Sequence, residues 1–149
     1  MAHARQQIRE AVGTALTGLS SVSNVYESRI YNFDTTMLPA LNIMTTNEEI
    51  DEELSSRSSS GFLLVRRLGV EVHALVMASS NSDDLVDQIC AEVEAAVSAN
   101  SSLQSLVKEI TLRSTELELL AEAEQPVAKA TITFEAVYAT LEHDPEVLV

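Results

Sequence analysis

The chain has 149 residues, 46% of them hydrophobic and 21% charged, with a formal net charge of −14. That length is enough to bury a core in one domain spanning 1–149, and the composition excludes wholesale disorder. Two Lys and seven Arg are too few for backbone-driven nucleic-acid binding, no apolar stretch reaches the roughly 20 residues of a membrane helix, and the lone Cys90 cannot close an internal disulfide.

The charge is unevenly placed. Residues 1–46 carry Arg5, Arg9 and Arg29 against Glu10, Glu27 and Asp34 and are neutral, so the entire excess of acid follows residue 46. Such a surface keeps a protein soluble, and it also lets DNA slide past without adhering. The opening residues, Met1 to Gln7, lack the apolar core of a signal peptide, so synthesis in the cytosol is expected.

Residues 3–19 read as an amphipathic helix, with Ile8, Val12, Leu16 and Leu19 on one stripe and Gly18 with Ser20-Ser21 as the stop. Two short strands follow, Val25 to Tyr31 and Leu41 to Thr46. Asn47 to Glu53 is dominated by acids (Glu48, Glu49, Asp51, Glu52, Glu53) and runs into the serine-rich 55–61 stretch, so 47–61 is expected to be a mobile loop.

Phe62 to Ala78 is the strongest strand signal. Phe62, Leu64, Leu68, Val70, Val72, Ala74 and Val76 share one parity, Arg66 breaks it, and Gly69 marks a bulge or bend. A second helix is expected over 83–99, capped by Asn81 or Ser82, with Leu85, Ile89, Val93 and Val97 as its stripe and Asn100 as a left-handed cap. One further turn is read around Leu103 to Val107. The chain closes with a hairpin, Ile110 to Ala121 and Val127 to Leu141, in which Ala130, Ile132, Phe134, Ala136 and Tyr138 share a face. Residues 142–149 are expected to fray. The order α-β-β-β-α-β-β gives an α+β fold, an α/β sandwich whose mixed or antiparallel sheet carries two main helices on one face.

Chemistry is hard to find. His3, His73 and His143 are scattered, no spacing matches a metal-ligand pattern, and the 47–53 run lacks the glycine turn of a calcium loop. Four glycines never cluster into a phosphate loop, and the serines lie outside any nucleophile elbow. No catalytic residue, no cofactor and no metal are therefore assigned, and the chain is not expected to be an enzyme.

A pattern does emerge from His3-Ala4-Arg5-Gln6-Gln7-Ile8-Arg9-Glu10-Ala11-Val12, Leu16-Thr17-Gly18-Leu19, Val25-Tyr26-Glu27-Ser28-Arg29-Ile30-Tyr31 and Leu38-Pro39-Ala40-Leu41, with Thr111 to Glu118, Pro126-Val127 and Thr131 to Phe134 later. Together these resemble the siphophage tail terminator proteins, the minor tail protein U-like family. The resemblance implies a structural virion protein at the head-proximal end of the tail. Such proteins form a homo-hexameric ring that caps the tail tube, ends its polymerisation and presents a surface to head completion or connector proteins, with DNA passing through the lumen. On that reading Arg5, Arg9 and Arg29 are candidates for the subunit interface. Glu48, Glu49, Asp51, Glu52 and Glu53 are candidates for the lumen or tube-facing side. The alternative is a small-ligand or regulatory binding module of the host cytoplasm, with a pocket between helices and sheet.

Overall fold

The structure, a computed structural model, describes residues 1–30, 34–78, 81–120 and 126–149. The elements in chain order are α1 (Ala4–Leu16), β1 (Asn24–Glu27), a 3-10 turn at Thr35–Met37, β2 (Ala40–Ile50), β3 (Ser56–Ser58), β4 (Gly61–Met77), α2 (Ser82–Ala99), α3 (Ser101–Leu106), β5 (Glu109–Leu120), β6 (Val127–Leu141) and β7 (Asp144–Leu148). The strands form one mixed sheet in the order β1-β2-β4-β6-β5, with β3 beside β4 and β7 beside β6. Only β1 and β2 run parallel; the other pairs are antiparallel.

The axis of the sheet is the β4–β6 ladder, which holds one register from Leu63↔Leu141 to Met77↔Val127. Because successive side chains alternate between faces, Leu68, Val70, Val72, Ala74 and Val76 of β4 share a face with Ala130, Ile132, Phe134, Ala136 and Tyr138 of β6. Both main helices cover that face. Ile8, Val12 and Leu16 of α1, and Val86, Ile89, Cys90, Val93 and Val97 of α2, join these strands in one buried cluster with Leu103 of α3. Each large aliphatic side chain buried here stabilises the fold by roughly 1.5–3 kcal/mol. The stripe of α2 thus runs through Val86 and Cys90, and Leu85 sits at its margin.

Several boundaries differ from expectation for local reasons. The β1 strand stops at Glu27 because Ser28 turns to φ 54° and the Asn42 amide takes over the pairing. Asn42 Oδ1 accepts from Arg29 N–H at 3.1 Å, and its Nδ2 donates to Arg29 C=O at 2.9 Å. Tyr31, the expected end of that strand, lies outside the described residues. Asn100 is extended (φ −77°, ψ 108°), not left-handed, because its Oδ1 accepts from Leu103 N–H at 2.8 Å and caps the start of α3.

The 47–61 segment is built, not loose. Asn47–Ile50 continues β2, and β3 pairs with the start of β4 through Ser56↔Leu63 and Ser58↔Gly61. Serine hydroxyls staple this hairpin: Ser55 Oγ accepts from Val65 N–H at 2.9 Å and donates to Asp51 C=O at 2.7 Å, and Ser58 Oγ donates to Gly61 C=O at 3.0 Å. Gly61 takes φ 128°, a conformation only glycine adopts without strain. The 142–149 segment likewise forms β7, with Val149 N–H on Ala139 C=O at 2.9 Å and Gln7 Nε2 of α1 on Glu146 C=O at 2.6 Å.

Glu92 of α2 ties down the segment after α1. Its carboxylate accepts from Ser20 Oγ at 3.0 Å, from Ser21 N–H at 3.1 Å, from Ser21 Oγ and from Gln88 Nε2 at 3.1 Å. These bonds, those from Ser21 foremost, pull its pKa down to about 2. A depressed folded-state pKa contributes stability that is complete above the ordinary glutamate value near 4.5 and is lost as pH falls toward 2. Glu92→Gln is therefore expected to lower stability at pH 7 but to narrow its gap to the wild type between pH 4.5 and 2.5, measured by urea denaturation.

Candidate functional site

Polar side chains gather at three places, and the sheet decides all three. The first begins with an interruption of the β2–β4 register between Thr45 and Glu48. The inserted residues lie against Gly69, where a Cβ would collide with Thr46 Oγ1. This bulge inverts the parity of β2, so Glu48 pairs with Leu68 and turns to the helix-covered face. Its side chain is 9% exposed and that of Arg66 11%. Glu48 Oε2 lies 3.2 Å from Arg66 Nη1 and 3.2 Å from Arg5 Nη1, while Oε1 accepts the Tyr138 hydroxyl. Arg66 Nε also donates to Thr140 Oγ1 at 3.1 Å. Burial, and then the Glu48 carboxylate, push the Tyr138 phenol well above its ordinary value. Beside them His3 caps α1 through Nδ1, accepting from Arg5 N–H at 3.1 Å. Desolvation, followed by Arg5 and Arg66, holds His3 below its usual pKa, as an accepting neutral ring requires.

The second lies on the uncovered face. Arg67 bridges Asp51 at 2.8 Å and Glu135 at 2.9 Å, and Arg113 reaches Glu135 at 2.8 Å. The Leu54 N–H and Arg67 lower the Asp51 pKa, and Arg113 with Arg67 lowers that of Glu135. His73 Nε2 meets Glu71 Oε1 at 2.8 Å on the same face. The acidic run is thus divided: Glu48 goes inward, Asp51 joins this network, and Glu49, Glu52 and Glu53 stay exposed. The three arginines are divided too. Arg5 pairs with Glu48, Arg9 Nη1 donates to Thr45 Oγ1 at 3.4 Å, and Arg29 lies over the Tyr26 ring at 5.1 Å from its centroid. Arg5 and Arg9 thereby bond within their own subunit.

The third place is a groove of about 600 Å³ between the first turns of α2 and the distal half of β5, lined among others by Ser82, Asp83, Val86, Asp87, Leu117 and Leu119. A register shift between Leu112 and Ser114 puts Leu117 and Leu119 opposite Ala130 and Ala128, on the helix side of the sheet. There they line the groove with the first turns of α2 and remain 63% and 64% exposed. Alternation in the sequence marked β5 as a strand but gave no sign that its leucines would lack a cover.

Among the described residues no three His, Cys, Asp or Glu side chains converge as metal ligands. Cys90 is buried, and burial pushes its thiol up.

No protein-family model matches the chain, and no curated protein does. Among solved structures it is similar to a chain of the virion of a native gene transfer agent particle, with a TM-score of 0.41 and 16% identity over 91% of this chain and 90% of that one.

Removing Glu48 would leave the Arg66 guanidinium buried without its carboxylate. Glu48→Ala is expected to cost about 3 kcal/mol in urea denaturation, whereas Glu49→Ala, Glu52→Ala and Glu53→Ala leave the midpoint where it is.

Proposed function

We propose that this chain is a non-enzymatic structural subunit of a phage-type virion: a tail terminator that acts by joining copies of itself into a ring on the end of the tail tube. The ring stops tube growth and offers a docking surface for head completion or connector proteins while DNA passes through its lumen. The sequence resemblance carries the identity of the machine. Among structural observations, the one that favours assembly is the uncovered β5, a 12-residue edge strand whose Leu117 and Leu119 face solvent. An edge with exposed apolar side chains is a liability in a protein that stays alone, and a contact in one that meets a neighbour.

The two sides of the sheet suit a ring as well. The face away from the helices carries the Arg67, Asp51 and Glu135 ion pairs beside a small apolar cluster of Val65, Val137 and Ala139, so only part of it is suited to water. Exposed Glu49, Glu52 and Glu53 are the acids free to face DNA, where like charge prevents adhesion. The bonds made by Arg5 and Arg9 give them a first duty within the subunit. A small-ligand module has the groove at α2 in its favour, and it would gain thermal stability from a metabolite alone.

The direct functional test adds the chain to the polymerising tail tube protein of the same virion. Tubes of restricted length with a ring at one end are expected in electron micrographs; tubes that elongate as they do without it contradict the reading.

A further inference from the structure

We infer that the groove beside α2 is the receptor for the β3–β4 hairpin tip of the neighbouring copy, so that subunits join head to tail. This rests on the ring reading above and names the contact that would build the ring.

The groove has an apolar floor and an acidic rim. Val86, Ala128, Leu117 and Leu119 supply the floor, and Asp83 with Asp87 stands at the rim on the first turns of α2. An occupant must therefore bring apolar surface together with positive charge. In a chain of net charge −14 few cations are available. Arg5, Arg66, Arg67, Arg113 and Lys129 pair with acids of their own subunit. Arg57, like the exposed Lys108, makes no ion pair among the described residues; of the two, Arg57 stands beside exposed apolar surface, on β3 with its guanidinium 5.6 Å from the Phe62 ring centroid. Leu54, 56% exposed, precedes it on the same arm. Leu54 and Arg57 together present apolar and basic chemistry that complements the groove's floor and its Asp83 and Asp87 rim.

Position makes the match directional. Gly61 opens β4 beside the tip, and Met77 closes it beside the groove, so the two surfaces sit at opposite ends of a 17-residue strand. At about 3.3 Å per residue they are roughly 50 Å apart. One subunit therefore offers a tip at one end and a receptor at the other. Contacts between unlike surfaces propagate from copy to copy and close as a ring when the rotation permits. The tip is stiff enough to dock because Ser55, Ser58 and the Gly61 turn hold it, which limits the ordering cost of association.

The test has two arms on the full chain. In a Cys90→Ala background, Leu54→Cys with Leu119→Cys is treated with a short bismaleimide, which captures even brief contacts. A ladder of cross-linked species extending beyond two chains is expected; no intermolecular product, or one that stops at two chains, overturns the assignment. In the second arm, Arg57→Glu and the double variant Asp83→Lys/Asp87→Lys should each raise the concentration needed for assembly by about tenfold or more. The two sets combined should restore assembly, with the melting temperature of every variant near that of the wild type. Wild-type rings that persist unchanged in Arg57→Glu overturn this contact and leave the ring reading standing, whereas absence of wild-type rings on tail tubes overturns the ring reading itself.

Discussion

The β4–β6 ladder is the constraint on which the rest of the molecule depends. It is long, antiparallel and unbroken from Leu63↔Leu141 to Met77↔Val127. Its alternation sends Val70, Val72, Ile132 and Phe134 under the helices and leaves Arg67, Glu71, His73 and Glu135 to water on the other side. A slip of one residue would exchange those two sets, so burial of the apolar set fixes the register. The length of the ladder also separates two surfaces: the serine-stapled tip grows from one end, and the groove beside α2 opens at the other. A short sheet would merge them and lose the polarity that head-to-tail joining requires.

Around that axis, small departures from regularity place the charged groups. The bulge in β2, admitted by Gly69, turns Glu48 inward between Arg5, Arg66 and Tyr138. A buried carboxylate is costly unless each of its oxygens is satisfied, and here two guanidinium groups and a phenol satisfy them. The register shift in β5 turns Leu117 and Leu119 to the helix side, where they stay mostly exposed beside the first turns of α2. One irregularity thus closes a polar site, and the other leaves an apolar site open.

How much of this could be read from the sequence follows from which forces act locally. Ile8, Val12 and Leu16 on α1, and the alternating residues of β4 and β6, are periodic, and periodicity reports the face that is buried. Sheet, helices and their arrangement on one face were legible for that reason. Gly69 marked the place of the bulge, but not that the inserted residue would lie in β2, because Thr46 and Asn47 carry no signature of one; Arg66 appeared only as a break in parity, and Glu48 as one acid among several. Serines 55–60 looked like a solvated loop because composition does not reveal hydroxyls bonded to backbone. The end of the chain looked loose for the same kind of reason: β7 folds back on β6 and is held by Gln7, 139 residues away in sequence. Of the candidate residues, the acidic run was visible as a cluster, but its division among three environments depends on strand parity. The groove depends on where α2 begins relative to β5, which no local pattern encodes.

The central claim is that copies of this chain join to one another in a closed ring. The most direct measurement is particle mass across protein concentration, with electron micrographs of the same samples, alone and in the presence of tail tubes. Closed rings of uniform copy number, formed free in solution or on tube ends, are expected. A particle that stays monomeric at every concentration and fails to form rings on tubes would contradict it.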